Sequence, residues 1–212
     1  MNFLRSILDA VLPPHDDARI ASRLTLEEIG ALARPMTVRG TFAVFPYQDR
    51  RIRAMVRAIK YYGETGVLEP LGAVAAEHLA ALLDEESLEK RKTLMCPIPS
   101  SPARLRARGY NQAERIARMI HAHLPSGMGI EYVPNLLSRE DRETQVHARR
   151  SRADNIRGAF YVTNYGSQTS IIKNARVILV DDVLKTGATI KDATRALKAA
   201  GAKSVIPFAI AH

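Results

Sequence analysis

The order of apolar and polar positions predicts a strand, turn and helix between residues 177 and 201. Four consecutive apolar residues, 177–180, predict a strand buried on both faces, because a strand with one solvated face would alternate. Apolar residues then recur at helical spacing from Ile190 to Ala200, and Gly201 is a typical helix terminator. We expect the rest of the chain to be organised around this unit.

Similar patterns predict the other secondary-structure elements. Strands are expected at 41–47, 93–99, 130–137, 159–163 and 204–211. Helices are expected at 25–29, 50–60, 70–83 and 113–120. Connecting segments are expected at 13–17, 33–40 and 84–92. A fully buried strand that leads into a helix is typical of an α/β fold.

Two aspartates, Asp181 and Asp182, follow the central strand directly. Carboxylates are rarely buried without partners, so we expect the pair at the carboxyl edge of the sheet, where open α/β sheets bind ligands. The turn after them contains Lys185, Thr186, Gly187, Ala188 and Thr189. Its backbone amides, its hydroxyls and the following helix N-terminus suit a phosphate monoester. The acids suit sugar hydroxyls or Mg²⁺, so the pattern predicts a sugar-phosphate site.

Basic residues are concentrated in three further segments. One face of the predicted helix 50–60, either solvated or anion-binding, carries Arg53, Arg57 and Lys60. An alternating series, expected to be an extended loop that offers guanidinium groups to an anion or to solvent, contains Arg104, Arg106 and Arg108. Segment 138–158 includes Arg139 and Arg142 but has few apolar residues. We expect it to be a mobile loop that closes over a pyrophosphate group.

Composition limits the class of protein. With 212 residues, 46% hydrophobic and 25% charged, the chain suits one soluble domain, with or without an appendage. A net charge of +9 favours polyanionic partners. The lone Cys96 excludes an intramolecular disulfide and a cysteine-rich zinc site, and it fits a reducing cytoplasm. No apolar run reaches membrane-spanning length; the short apolar face at 3–11 predicts a helix that packs on the body or a partner, or else a surface membrane anchor.

Residues 177–189 resemble the phosphoribosyl-pyrophosphate (PRPP) signature of type I phosphoribosyltransferases. The resemblance implies a mostly parallel twisted sheet flanked by helices. It also implies that Asp181 and Asp182 contact the ribose hydroxyls, that residues 185–189 hold the 5-phosphate, and that Mg²⁺ enters with PRPP rather than on a protein site of its own. The loop after strand 93–99, with Ser100 and Ser101, would contact pyrophosphate. Lys185 departs from the family pattern, where threonine is commoner.

Three further segments narrow the resemblance to the ComF family of bacterial natural-competence proteins: 59–61 (IKY), 106–112 (RARGYNQ) and the stretch from 142–145 (RETQ) to 158–160 (GAF). The resemblance covers about residues 45–212, leaving 1–44 as an N-terminal extension or hood element. It implies import of single-stranded DNA beside a DNA-uptake helicase. The usual N-terminal four-cysteine zinc finger is absent from this sequence, so no zinc is expected. The candidates for contacting pyrophosphate or DNA are Lys60, Ser100, Ser101, Arg106, Arg108, Arg139 and Arg142.

Three functions remain open from the sequence. A binding module would hold PRPP or a nucleotide without turnover, and this is the interpretation we favour. A salvage enzyme would need a hood over the acceptor; because the sequence given ends after the last predicted strand, residues 1–92 would have to supply it. A transcription regulator of the same fold would need a helix-turn-helix, which 25–35 do not supply cleanly. Oligomeric state and acceptor are not predicted.

Overall fold

The computed structural model describes residues 16–62, 66–83, 91–140, 158–163 and 171–212. The strands in these ranges are β1 (Met36–Val38), β2 (Thr41–Phe45), β3 (Thr93–Pro97), β4 (Ile130–Tyr132), β5 (Leu137–Arg139), β6 (Phe160–Val162), β7 (Arg176–Val183) and β8 (Ser204–Ala211). The helices are α1 (Asp16–Ala21), α2 (Leu26–Ala31), α3 (Arg50–Arg57), α4 (Leu68–Leu82), α5 (Pro102–Arg108), α6 (Gln112–His123) and α7 (Ala188–Ala199). A π-helical turn spans Ala58–Tyr62, and a 3₁₀ turn spans Ser126–Met128.

Six strands form one sheet in the order β1-β2-β8-β7-β3-β4. Every pair is parallel except β1 with β2, so the expected mostly parallel α/β sheet is confirmed. β7 lies in the interior between β3 and β8, with Cys96 opposite Leu179 and Ala209 opposite Asp181. Strands β5 and β6 form a separate antiparallel pair.

Side chains of β7 alternate between two apolar cores, one on each face of the sheet. Ile178 and Val180 belong to the core that includes buried residues of α3, α4 and α6. Val177 and Leu179 belong to the core that includes α7 and the β5–β6 pair. All four residues are fully buried, which confirms the prediction of a strand covered on both faces.

Local sequence signals account for several helix ends. Thr25 forms a capping box with Glu28 at the start of α2, as expected. Asp49 accepts a hydrogen bond from the Arg51 amide at the start of α3. Helix α4 starts two residues before the predicted position, with Pro70 in its first turn, where a proline is tolerated.

Three predicted connectors or loops contain regular structure. Asp16 and Asp17, expected in a linker, open helix α1, where acidic residues favour the helix N-terminus. The predicted connector 33–40 contains β1, which forms an antiparallel edge of the sheet. The prediction of an extended loop at 104–112 is wrong, because α5 occupies most of that segment. The helix has Ser101 as its N-cap, Pro102 in its first turn and Gly109 in a left-handed conformation at its end.

Other boundaries also differ from expectation. The strand expected at 130–137 is two strands, β4 and β5, separated by a turn and belonging to different sheets. Ser138 and Arg139, expected in a mobile loop, pair in β5 with Tyr161 and Phe160. The helix expected to break after Lys60 continues to Tyr62 as the π-helical turn.

Several predictions concern residues outside the described ranges or are not decided by the fold. The helix expected within 3–11, most of connector 84–92, and segment 141–157 with Arg142 lie outside the described residues. The boundary expected between 44 and 45 falls inside β2, and the division into two regions stays a prediction. In the described part of the chain, no helix has the length and apolar character needed to cross a membrane.

Candidate functional site

A cleft of about 870 Å³ opens at the carboxyl ends of β3 and β7. Because the two strands are parallel neighbours, the segments that follow them meet at the same edge of the sheet. Segments 98–100 and 181–190 line the cleft, and α5, α6, β5 and the π-helical turn each contribute side chains. The sequence-based placement of a ligand site at this edge therefore agrees with the location of the cleft.

Asp181 and Asp182 are the acids of the cleft. Asp181 Oδ1 accepts a hydrogen bond from the Asp182 amide at 2.9 Å, and Asp182 Oδ1 accepts one from the Val183 amide at 2.8 Å. Burial of the Asp181 carboxyl group, together with the neighbouring Asp182 carboxylate, raises the pKa of Asp181 well above its ordinary value. The pair therefore concentrates negative charge that a cation or hydroxyl donors would stabilise.

Lys60 supplies a cation to this pair from the other side of the cleft. Its Nζ lies 3.7 Å from Asp182 Oδ2, and its side chain is only 21% exposed. Lys60 lies in the π-helical turn. Such turns are rare in proteins, and those that occur are often found at functional sites. Of the basic row predicted on helix 50–60, only Lys60 lines the cleft; Arg57 instead pairs with Asp17 at 3.1 Å.

The RARGYNQ segment contacts the π-helical turn on both sides of Lys60. The Tyr110 hydroxyl donates to the Ile59 carbonyl at 2.7 Å. The Arg108 guanidinium carbon lies 5.2 Å from the centre of the Tyr61 ring. Two segments that the sequence connected only through a family resemblance are therefore in direct contact, and their contacts fix the turn that carries Lys60.

The predicted phosphate loop, Lys185 to Thr189, lines the cleft along its whole length. Gly187 has φ 77° and ψ −1° and is the residue before α7, so the turn requires a left-handed conformation that glycine adopts without strain. Thr186 Oγ1 accepts a hydrogen bond from the Ala188 amide at 3.4 Å. The first-turn amides of α7 have no carbonyl partner within the helix, which makes this end suitable for an anion.

Arg39 supports the same loop from the β1–β2 connection. Its Nη1 donates to the Thr186 carbonyl at 2.8 Å and to the Lys185 carbonyl at 3.4 Å. Those carbonyls consequently face Arg39 rather than competing with an anion. Nothing in the local sequence of 36–40 indicated this contact, because it joins positions about 147 residues apart.

The loop after β3 forms another part of the cleft lining. Ser100 Oγ donates to Asn111 Oδ1 at 3.0 Å, and Asn111 Nδ2 donates to the Ile98 carbonyl at 3.0 Å. Gln112, the first residue of α6, also lines the cleft and is only 5% exposed. Sequence reasoning used Asn111 and Gln112 only as part of a motif and gave neither a role.

The remaining predicted site residues are divided between the cleft and its surroundings. Ser100, Arg108 and Arg139 line the cleft, as does Arg104, which had been expected in a loop. Ser101 caps helix α5 by accepting from the Arg104 amide at 3.3 Å and is not among the lining residues. Arg106 lies on α5 outside the lining, and Arg142 lies outside the described residues. The contacts that these residues make with ligands stay predictions.

Asp192 connects the helix of the phosphate loop to the β5–β6 pair. This buried acid on α7 accepts hydrogen bonds from the Gly158 amide at 2.8 Å and the Ala159 amide at 3.0 Å, and it pairs with Arg195. Asp192 therefore holds Gly158 and Ala159, the residues just before β6, against α7.

Comparison with known proteins agrees with this arrangement. A family model described as "Phosphoribosyl transferase domain" matches residues 108–211, which include Asp181, Asp182 and the whole phosphate loop. Competence protein ComFC of Streptococcus pneumoniae is 30% identical over 131 residues, covering 62% of this chain. The chain thus resembles phosphoribosyltransferase-like proteins of the ComF family. It spans about half of that relative, 53% of its length.

Solved structures similar to this protein include two phosphoribosyltransferases. The hypoxanthine enzyme of Staphylococcus aureus is 19% identical with a TM-score of 0.33, covering 65% of this chain and 60% of its own. The orotate enzyme of Mycobacterium tuberculosis H37Rv, solved with Fe(III) dicitrate, is 17% identical with a TM-score of 0.37, covering 90% and 81%. The sheet and the family match identify the type I phosphoribosyltransferase fold expected from the sequence.

The carboxylates that the structure describes do not form a closed metal site by themselves. Among the residues that the structure describes, no group of three or more His, Cys, Asp or Glu side chains is arranged to hold a metal ion. Asp181 and Asp182 are two oxygen donors beside a phosphate-type loop. That donor set fits Mg²⁺ shared with a bound phosphate compound, because Mg²⁺ is usually held by one or two protein carboxylates plus ligand oxygens.

Proposed function

We propose that this protein binds PRPP or a related sugar phosphate, such as a nucleotide, together with Mg²⁺, and that it acts in the uptake of single-stranded DNA during natural competence. The observation that carries the first part is the position of the Asp181–Asp182 pair directly before the phosphate loop, within one cleft. The second part rests on the similarity to a protein named for competence.

The geometry supports a ligand with a phosphate at one end and sugar hydroxyls beside it. The phosphate binds to the loop from Lys185 to Thr189 and to the N-terminus of α7. The positive charge of Lys185 attracts it as well. The two carboxylates accept hydrogen bonds from vicinal hydroxyls, and Mg²⁺ would supply charge neutralisation between them and further ligand phosphates. A cleft of about 870 Å³ is within the range of small-molecule sites.

Basic and aromatic groups near the cleft support a role with single-stranded DNA. Tyr61 is 58% exposed, and the Arg108 guanidinium group lies over its ring. Arg104 and Arg106 lie on α5, the same short helix as Arg108. Exposed aromatic faces beside guanidinium groups bind single strands by stacking and by phosphate contacts. The net charge of +9 is favourable for that contact but not specific to it.

A catalytically active phosphoribosyltransferase in nucleotide salvage is the second candidate. It is favoured by the match of the transferase family model, which includes the acid pair and the phosphate loop. It is also favoured by Lys60, which shows that the chain before β3 contributes a side chain to the cleft. Catalysis additionally requires an acceptor base or amine held against the sugar. Both candidates share the same PRPP site and differ in whether pyrophosphate is released.

Calorimetric titration with PRPP and Mg²⁺, followed by assay of pyrophosphate release across the common purine and pyrimidine bases, tests the proposal. Saturable binding without release supports the binding function; binding with base-dependent release supports the salvage enzyme. Absence of PRPP binding, with binding of ribose 5-phosphate and nucleotides also absent, would contradict the proposed site.

A further inference from the structure

Gln112 is a buried polar residue of the cleft whose side-chain nitrogen has no hydrogen-bond partner in the described part of the chain. The residue is 5% exposed and lines the cleft as the first residue of α6. Its Nε2 is buried and has no hydrogen-bond partner among the residues that the structure describes. A buried amide without a partner is costly, and native proteins keep such a group mainly where a ligand or solvent completes it.

The residue before it, Asn111, does not cap helix α6 with its side chain. Asparagine is among the best N-cap residues, yet here its amide bonds to Ser100 and to the Ile98 carbonyl instead. The first-turn amides of α6, a helix of 12 residues, are therefore left without the usual side-chain acceptor. An anion in the cleft would complete them, and the helix N-terminus favours negative charge.

The charged side chains around this corner of the cleft are positive, as a site for an anion requires. Arg104 and Arg108 line the cleft beside Ser100 and the first residues of α6. The acids of the cleft lie at the end of the neighbouring strand, and Lys60 contacts one of them at 3.7 Å. The corner after β3 is therefore cationic and rich in donors, whereas the end of β7 is anionic.

We propose that Gln112 is a specificity-determining residue whose side-chain amide donates a hydrogen bond to a diphosphate group bound at this corner. The inference rests on the proposed function and assigns to Gln112 the part of the ligand that distinguishes PRPP from a simple sugar phosphate. Ribose 5-phosphate would occupy the acid pair and the phosphate loop without reaching Gln112. Removal of the donor therefore lowers affinity for diphosphate-bearing ligands alone.

The test compares Gln112→Met, which keeps the length of the side chain but removes the donor, with Gln48→Met, an exposed glutamine outside the cleft lining. Titrations use PRPP, inorganic pyrophosphate and ribose 5-phosphate in Mg²⁺ buffer, and thermal unfolding verifies that each variant is folded. Gln112→Met is expected to weaken PRPP and pyrophosphate binding about tenfold, equal to about 1.4 kcal/mol, with ribose 5-phosphate unchanged. Gln48→Met is expected to bind all three like the wild type.

A second measurement uses the wild type, so that it does not depend on the folding of a variant. Side-chain amide signals of ¹⁵N-labelled protein are followed by NMR, and one glutamine pair is expected to shift with pyrophosphate and PRPP but not with ribose 5-phosphate. The inference is overturned if Gln112→Met binds all three ligands as tightly as the wild type, if it loses affinity equally for all three, or if no glutamine amide signal shifts in this way. Each of these results leaves the proposed function intact. A wild type that binds no PRPP would overturn the proposed function, and the inference with it.

Discussion

Replacing Asp181 by Asn is expected to stabilise the ligand-free protein while weakening PRPP binding. Burial of the carboxyl group and the adjacent Asp182 carboxylate raise the pKa of Asp181, so its charged form is disfavoured in the folded state. The asparagine Oδ1 can still accept from the Asp182 amide, which Asp181 Oδ1 does at 2.9 Å. Removing only the charge should therefore raise stability by about 1 kcal/mol, or roughly 2–4 °C in Tm for a chain of this size.

The sign of the pH dependence follows from the direction of the pKa shift. Between the ordinary value of 3.8 and the raised value in the folded protein, the folded state binds more protons than the unfolded state. Stability from this group is therefore present at low pH and is lost as pH rises through that interval. The advantage of Asp181→Asn over the wild type should be small near pH 4 and should grow toward neutral pH.

Asp192→Asn is the matched control, because it makes the same change at a buried acid that has hydrogen-bond donors and a cation as neighbours instead of a second carboxylate. Asp192 accepts from two backbone amides and pairs with Arg195. An asparagine at 192 could accept from only one of the two backbone amides and would turn its own NH₂ group toward the other. It would also remove the ion pair with Arg195. We expect a loss of about 2 kcal/mol, or roughly 4–8 °C in Tm.

Thermal unfolding of the wild type and both variants at several pH values, without ligand, gives the stability differences, and calorimetry with PRPP and Mg²⁺ gives the affinities. The expected result is a more stable Asp181→Asn with weaker PRPP binding and a less stable Asp192→Asn. If Asp181→Asn is destabilised by as much as Asp192→Asn, the acid pair is a structural feature and our account of its electrostatics is refuted.

Two further predictions concern packing and DNA. A Cβ added at Gly72 would lie 2.9 Å from Met119 Cβ and 3.2 Å from its backbone carbon, so Gly72→Ala should cost about 1–3 kcal/mol by urea unfolding. Gly30→Ala, with open space around it, should be neutral or slightly stabilising, and equal losses at both positions would contradict the close α4–α6 packing. Replacing Arg106 and Arg108 by Ala should weaken single-strand binding and reduce its salt slope in anisotropy titrations. An unchanged slope would remove these residues from any DNA contact.

The central unit of the fold was predictable because its signals are local. The apolar run at 177–180, the two acids, Gly187 and the helical spacing after it all lie within about 25 residues. The side chains of 177–180 separate into two cores, and Gly187 has the positive φ that the turn requires. A buried strand followed by charge and a tight turn has few alternative structures.

Helix α5 shows where the sequence interpretation gave weight to the wrong signal. The alternation of Arg104, Arg106 and Arg108 does not exclude a helix, because arginines can occupy any exposed helix face. Ser101, Pro102 and Gly109 were already the cap, first-turn and terminator residues of a short helix. β1 was missed for another reason: with three residues, none of them fully buried, it depends on pairing with β2.

The parts of the site that could not be predicted depend on distant contacts. Arg39 reaches the phosphate loop across 147 residues, and Tyr110 contacts Ile59 across 51. That Gln112 Nε2 has no partner among the described residues becomes visible only when its neighbours in space are known. Such contacts follow from the packing of the whole chain, and periodicity along the sequence carries no information about them.

The most direct test of the account is the PRPP affinity of the double variant Asp181→Asn, Asp182→Asn relative to the wild type, measured by calorimetry in Mg²⁺ buffer. Both carboxylates line the cleft beside the phosphate loop, so their removal should weaken binding at least tenfold, about 1.4 kcal/mol. A folded double variant that binds PRPP as tightly as the wild type would contradict the assignment of this cleft as the sugar-phosphate site.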